Sequence, residues 1–474
     1  MNVREPSIGV VPAAPKAGAP PAARETGWLP DCVYTGDKFE SGLAFFADTL
    51  GRITRFSREP ADLAVAKRLA GQAALPGLVN GHSQAWQRVL RGRQRTQAGH
   101  DPLVLAAGRL AVADLYDAAR MAFMEMLLSG ITCVGEFHLL HHQPDGTSWS
   151  EPNFLSHEIL RAARDCGLRV ALFKVACAGF RQPPDPGQAR SLTPVAEQYL
   201  REVDALREFV ARNHPGDDAW VGVALHSLHS MPLDYLKTVA AYAHAQRLRL
   251  HVPVSAQPAD NEACVAEHGR TPVALLAELG LLDKRFTAVH ARHLTDDEVR
   301  LLGVARATVC ACPNAEPGRG GAAPADKLLA AGAALALGTD RQGRINLLED
   351  ARLFADALHR PGGPAAGLAG LLLQVATTAG ARSLGAPSGA LEVGRPADFF
   401  TVNLYDPSIA GAEPDTLLDH VVFSLERRAI REVWVGAHQR VANGRHPYQG
   451  AIVSRFVELQ RKLWGDSRAA GAMA

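Results

Sequence analysis

The chain has 474 residues, a formal net charge of +1, 47% hydrophobic residues and 21% charged residues. This length allows one large domain plus a smaller one, and the composition is that of an ordinary globular protein. A net charge this close to zero gives no electrostatic reason to expect nucleic acid or an anionic membrane as a partner.

Cysteine usage and the chain start indicate the compartment. The seven cysteines are scattered and odd in number, which is typical of a reduced intracellular protein. Cys310 and Cys312 could form a metal-binding pair, but buried strand cysteines are the favoured interpretation. No apolar run reaches the roughly 18 residues of a membrane span, and no signal pattern begins the chain. We therefore expect a cytoplasmic protein.

Both ends of the chain predict a small β domain. Residues 1–27 are rich in Pro and Ala and predict a disordered tail. Short β-like runs split by Asp and Gly turns fill residues 28–74, and a second β-rich stretch covers residues 386–450. We expect these two flanks to form one small β-sandwich domain, followed by a helix and tail over residues 451–474.

Strand–helix alternation fills residues 75–385 and predicts a (β/α)8 TIM barrel, an α/β fold. The helix predicted over Leu115–Leu128 ends at Ser129-Gly130, a typical C-terminal stop, and another is predicted to begin at Thr193-Pro194. A further helix is predicted over Thr295–Leu302. The predicted strand ends are His82, His138, Val175, His226, Val254, His290, Cys310 and Asp340.

Four of these eight strand ends carry His and a fifth carries Asp. One such histidine alone is most often a satisfied core residue. Several at the same end of successive barrel strands indicate a site, because TIM barrels place their chemistry at the C-terminal ends of the strands.

With these motifs in view, the chain resembles the formimidoylglutamate deiminase branch of the amidohydrolase superfamily over about residues 28–460. The similarity depends on the order of the motifs more than on any one of them. They are Gly81-His82-Ser83-Gln84, Glu136-Phe137-His138, Leu225-His226-Ser227-Leu228, Val289-His290-Ala291-Arg292-His293 and Gly338-Thr339-Asp340.

The resemblance implies a zinc site that this sequence does not reproduce. In the family, zinc is held by both histidines of His-x-His, by a strand-five histidine and by the strand-eight aspartate. Here the first ligand is His82 and the aspartate is Asp340, but Gln84 and Pro253 occupy the other two ligand positions. The family's proton-transferring glutamate falls on Ala256. A catalytic zinc needs about three protein ligands, so we expect no metal cofactor.

The interpretation we favour is metal-independent acid–base chemistry on a C–N or C=N bond of a small nitrogen-bearing molecule. With no cation between them, His290 and Asp340 are expected to approach hydrogen-bonding distance. The predicted catalytic residues are His290, Asp340 and His82. The predicted substrate-binding residues are Gln84, Gln87, Glu136, His226, His229 and His251.

Two alternatives stay open. The chain could be an inactive paralogue that acts as a binding protein, or a zinc-dependent hydrolase whose site is rebuilt around His82 and Asp340 with His251 or His229. The family's carboxylate-binding Leu-Arg is Leu228-His229 here and its Tyr is Leu139. Formimidoylglutamate itself is therefore not the expected substrate. We also expect a homodimer.

Overall fold

The computed structural model describes residues 25–93, 101–179, 184–228, 231–315, 323–356, 358 and 367–465. Its strands are β1 (Thr26–Tyr34), β2 (Phe39–Ser41), β3 (Ala44–Ala47), β4 (Ile53–Ser57), β5 (Lys67–Pro76), β6 (Leu78–Ser83), β7 (Ile131–His138), β8 (Arg169–Ala176), β9 (Ala219–Leu225), β10 (Leu250–Val254), β11 (Phe286–His290), β12 (Thr308–Ala311), β13 (Ala334–Leu337), β14 (Phe399–Asn403), β15 (Ile430–Val435) and β16 (His438–Val441).

The helices are α1 (Pro60–Val65), α2 (Pro102–Arg109), α3 (Val112–Leu128), α4 (Phe154–Cys166), α5 (Pro186–Ala189), α6 (Ala196–Asn213), α7 (Leu233–Ala245), α8 (Pro258–His268), α9 (Pro272–Glu278), α10 (Asp296–Val304), α11 (Ala325–Ala331), α12 (Leu347–Ala355), α13 (Leu368–Val375), α14 (Thr378–Leu384), α15 (Leu417–Phe423) and α16 (Gln449–Trp464). Short 3₁₀ helices cover Ala85–Leu90, Pro313–Ala315 and Arg427–Ala429.

Strands β6 to β13 form one parallel sheet in sequence order, and this sheet closes into a barrel. At the closure, the backbone N–H groups of Thr339 and Asp340 both donate to the His82 carbonyl, at 2.9 and 3.0 Å. Ser83 and Asp340 form a parallel bridge there. The predicted (β/α)8 barrel is confirmed, and each strand ends within three residues of its predicted end.

Alternation along the strands sorts side chains to the two faces of the barrel. Val79, Cys133, Phe137 and Phe173 pack together on the inner face. Residues of the opposite parity, such as Val134, pack with the surrounding helices in the main core. This parity decides which strand-end residues can reach the mouth of the barrel.

Of two predicted helix ends, the structure confirms one and contradicts the other. The stop after α3 is confirmed, because Ser129 is the C-cap and Gly130 has a φ of 80°. The start at Thr193-Pro194 is wrong, since α6 begins at Ala196. The Thr193 hydroxyl instead accepts a hydrogen bond from the Cys177 backbone N–H at 2.8 Å, which fixes the chain after β8.

The strands from both chain ends share a second sheet, as predicted. Its order is β16-β15-β14-β5-β1-β3-β4, with β2 paired to β1. An aromatic cluster of Trp28, Phe45, Phe399 and Trp434 forms its core, with ring centroids 5.0 to 5.8 Å apart. Thr26 and Gly27 already lie in β1, so the predicted tail extends too far, and residues 1–24 lie outside the described part of the chain.

The cysteines are buried and free of disulfides. Cys310 and Cys312 lie in a small apolar cluster with Val289, Ala315 and Ala336, the environment expected of strand cysteines. Burial is the main cause that raises the pKa of the Cys312 thiol well above its usual value. No helix in the described residues is both long and apolar enough to cross a membrane.

Candidate active site

The C-terminal ends of the barrel strands surround a cavity of about 440 Å³. The predicted site residues that line it are Gln84, Gln87, His226, His290 and Asp340. Much of the remaining wall is apolar and includes Trp86, Phe137, Leu139, Leu228, Pro253 and Val254. Such a volume and lining suit a small molecule whose few polar groups are met by a few fixed side chains.

Asp340 is the centre of the polar contacts on the cavity floor. Its Oδ1 accepts a hydrogen bond from the Gln84 amide at 2.9 Å and lies 3.5 Å from His82 Nε2. Its Oδ2 lies 3.9 Å from His290 Nε2. That distance exceeds a hydrogen bond, so the expected direct bond between His290 and Asp340 is not formed. The shortest of these side-chain contacts to Asp340 is the one with Gln84.

The strand ends that carry these residues have a left-handed backbone. His290 has a φ of 69°, Asp340 a φ of 43°, and Ser255 after β10 a φ of 48°. Such conformations cost non-glycine residues on the order of 1–3 kcal/mol each and are concentrated at functional sites. The Ala291 N–H donates to the Val254 carbonyl at 3.0 Å and holds the turn after β11. The surrounding barrel therefore fixes the direction of both side chains.

The Asp340 carboxyl group is held in its ionised form. Burial opposes ionisation, but the hydrogen bond with His82 and the charges of His290, His82 and Arg341 lower the pKa of Asp340 below its usual range. Arg341 also lines the cavity, with its Nε 3.9 Å from Asp340 Oδ2. Sequence reasoning missed Arg341, although its place directly after the strand-eight aspartate was a usable signal.

Gln84 and Gln87 form a short chain of hydrogen bonds that ends at Asp340. The Gln87 amide donates to Gln84 Oε1 at 2.7 Å, and Gln84 in turn donates to Asp340. The Gln87 Oε1 atom is buried and accepts no hydrogen bond from the described residues. Gln87 is nevertheless one of the residues that line the cavity.

Glu136 does not line the cavity as a substrate-binding residue would. It follows the inward-facing Gly135 and precedes the inward-facing Phe137, so alternation turns it to the outer face of the barrel. Its Oε2 accepts from the Ser83 hydroxyl at 2.5 Å and its Oε1 from the Ala85 N–H at 2.7 Å. Glu136 is thus a positioning residue that holds the chain on both sides of Gln84, at Ser83 and at Ala85.

Glu136 is expected to make stability depend on pH. Burial raises its pKa to about 8, against the lowering effect of the Ser83 and Ala85 hydrogen bonds. The folded protein keeps this proton up to about pH 8, whereas the unfolded chain loses it near its ordinary pKa. The free energy of unfolding should therefore fall between pH 5 and 8 by roughly 1–3 kcal/mol more in the native protein than in Glu136→Gln. Urea unfolding of both proteins at pH 5 and pH 8 measures this difference. An equal change in the free energy of unfolding for the native protein and for Glu136→Gln would contradict it.

The remaining predicted histidines have different positions. His226 lines the cavity, and His82 is buried below it against Asp340. His251 is also buried below the cavity, with its ring 3.7 Å from the Phe173 ring and its Nε2 3.3 Å from the Ser383 carbonyl. Burial, helped by the charge of His82, lowers the pKa of His251 to about 3. A substrate contact by His251 is therefore not supported, and His229 lies outside the described residues.

The sequence pattern of the Amidohydrolase family matches residues 73–451. The chain belongs to the amidohydrolase family. It is 32% identical over 421 residues to the formimidoylglutamate deiminase of Pseudomonas aeruginosa, covering 84% of this chain and 91% of that protein. It is 29% identical over 428 residues to a 5-methylthioadenosine/S-adenosylhomocysteine deaminase of Desulforudis audaxviator, covering 85% of this chain and 89% of that protein. This amidohydrolase is therefore an enzyme of the deaminase and hydrolase type that acts on C–N bonds.

A solved relative carries zinc. The crystal structure of an adenosine deaminase from Xanthomonas campestris with bound zinc superimposes with a TM-score of 0.78 at 22% identity, covering 94% of this chain and 99% of that one. At this identity the likeness establishes the fold. Whether this amidohydrolase can bind zinc depends on the side chains at its own barrel mouth.

The side chains at the barrel mouth do not fit a zinc ion. Pro253 lines the cavity where the resemblance places a ligand, and it has no side-chain donor atom. The Gln84 amide presents its N–H to Asp340, while its oxygen accepts from Gln87. Among the residues that the structure describes, no three His, Cys, Asp or Glu side chains come together as a possible metal site. A catalytic zinc requires about three such ligands.

Proposed function

We propose that this amidohydrolase hydrolyses an activated C=N or C–N bond of a small nitrogen-bearing molecule without a metal. The observation that carries the proposal is the 2.9 Å hydrogen bond from Gln84 to Asp340. It places a neutral donor against the carboxylate, at the position where the family's relatives have a metal-binding histidine. Asp340 is an ionised group beside His290, because His82, His290 and Arg341 lower its pKa against the effect of burial.

His290 and Asp340 have different tasks in the proposed reaction: His290 transfers the proton, and Asp340 stabilises the charge that His290 then carries. One water molecule can contact both His290 Nε2 and Asp340 Oδ2, which are 3.9 Å apart. His290 accepts a proton from this water as the new C–O bond forms, and then gives the proton to the leaving nitrogen. Asp340 stabilises the imidazolium between these two steps. Acid–base catalysis of this kind contributes roughly 10²–10⁴-fold, which is sufficient for an imine-like substrate.

Two further groups position the substrate. These are Gln87 and His226, which both line the cavity and contact polar groups of the substrate. The apolar wall formed by Trp86, Phe137 and Leu139 surrounds the rest of the molecule. A homodimer remains a prediction, which light scattering of the purified protein can test.

Metal analysis tests the proposal directly. Protein purified from zinc-supplemented cells is expected to contain far less than one zinc per chain, because Gln84 and Pro253 remove two of the ligands that such an ion needs. Elemental analysis measures the content. One tightly held metal per chain would contradict the proposal and favour the rebuilt zinc site.

A variant provides the matched control for this measurement. Gln84→His/Pro253→His returns imidazole groups to both replaced ligand positions, beside His82 and Asp340. Its zinc content should rise above that of the native protein. Equal zinc content in the two proteins, both near one per chain, would show that Gln84 and Pro253 do not decide metal binding.

A further inference from the structure

A second cavity lies at the end of the barrel opposite the active site. Its volume is about 490 Å³, and it opens between the C-terminal half of α6, the first residues of β9, the turn before β10 and the end of α14. Its lining includes Arg207, Arg247, Arg249, His214 and Trp220. Because it lies at the N-terminal ends of β9 and β10, it is separate from the catalytic cavity at their C-terminal ends.

The lining of this cavity is cationic. It contains three arginines, and none of its described lining residues is Asp or Glu. His214, which also lines it, has its Nδ1 3.2 Å from Asp218 Oδ2. Arg207 bonds Asp204, Tyr242 and Gln246 through its Nη1. Within the described part of the chain, the exposed Arg247 side chain has no hydrogen bond or ion pair. Asp204 and Asp218 pair with Arg207 and His214, so the excess positive charge at the cavity wall comes from Arg247 and Arg249, for which the described residues provide no ion pair.

Arg249 is held in place against the cavity. Its Nη1 donates to the Lys284 carbonyl at 3.0 Å. The Arg249 side chain packs closely on Gly385, because a Cβ atom added to this glycine would lie only 3.0 Å from Arg249 Nε. Gly385 also has a φ of 72°, which favours glycine. Burial and the nearby charges of Arg285 and Arg382 lower the pKa of Arg249, while Asp283 raises it. A bound anion would relieve this excess of positive charge.

Trp220 supplies an aromatic wall beside the guanidinium groups. Its indole N–H donates to the Leu384 carbonyl at 2.8 Å, which fixes the ring at the cavity. Arginine forks match phosphate oxygens in pairs, and a fixed indole ring can stack on a planar ligand group.

From this lining we infer that the cavity is a binding site for a compact phosphate-bearing anion, distinct from the catalytic site. The source of the phosphate is either a free inorganic anion or a nucleotide whose ring contacts Trp220. The inference does not depend on the reaction proposed above.

Calorimetric titration of the full chain with inorganic pyrophosphate and with ADP, at about 50 mM salt, tests the inference. Saturable binding of at least one of them is expected. Arg247→Gln and Arg249→Gln should each weaken it roughly tenfold. Arg300→Gln, on the exposed surface of α10, should not. His290→Ala should bind as the native protein does, because the anion lies outside the catalytic cavity.

The two ligands distinguish the sources. Tighter binding of ADP, lost in Trp220→Leu, indicates a nucleotide, whereas equal binding of both ligands indicates the phosphate group alone. Either result supports the site. Absence of saturable binding overturns it, as does an equal effect of Arg247→Gln and Arg300→Gln. If Arg249→Gln does not fold, the exposed Arg247 decides the outcome.

Discussion

Asp340→Asn and His290→Ala are each expected to lower kcat/KM by at least about 10²-fold, because each removes one member of the acid–base pair. Asp340→Asn keeps the size of the side chain but removes the charge that stabilises the imidazolium. His290→Ala removes the group that accepts and returns the proton. The substrate for the assay comes from a screen of N-formimidoyl amino acids and related imines for ammonia release.

The matched control is Arg344→Gln. Arg344 follows Asp340 in the same segment, but its side chain is 68% exposed and pairs with Glu349 away from the cavity. This variant should keep native activity, and thermal unfolding should show that all three variants fold. If Asp340→Asn and His290→Ala both retain near-native kcat/KM, the pair is structural. If no compound in the screen is turned over but some bind, the inactive binding protein gains support.

The barrel and the strand-end residues could be predicted because they follow from local pattern. Strand–helix alternation defines the barrel, and parallel strands bring their C-terminal ends to one mouth. His290 and Asp340 therefore meet although 50 residues separate them. The replacement of the family's second ligand histidine by Gln84 could also be predicted, since the resemblance assigns that ligand position to residue 84.

The functions of buried polar residues could not be predicted in the same way. Whether a strand residue reaches the cavity depends on its face and its depth, and a shift of one residue reverses the face. Glu136 faces outward to Ser83, and His251 lies one layer too deep against Phe173. Thr193 looked like a helix cap, but its hydroxyl bonds a chain segment 16 residues away. Only the packed structure determines these partners.

A buried ion pair between Arg169 and Asp398 connects the barrel with the sheet of the chain ends. Arg169 at the start of β8 donates from Nε to Asp398 Oδ2 at 2.7 Å, and the two side chains are 6% and 0% exposed. Asp398 also accepts from the Ser388 hydroxyl at 2.7 Å and from the Gly436 N–H at 2.6 Å. The carboxylate thus brings together three separate segments of the chain.

Arg169→Met is expected to lower the free energy of unfolding by about 3–5 kcal/mol, because it leaves the Asp398 charge buried without its partner. Arg169→Met/Asp398→Asn should recover part of this loss, since the remaining amide carries no charge. The control is Arg270→Met, which breaks an ion pair with Glu278 whose side chains are 57% and 61% exposed. Its loss should stay below about 1 kcal/mol. Urea unfolding of the four proteins measures these differences. Equal losses for Arg169→Met and Arg270→Met would show that the buried pair does not hold the two sheets together.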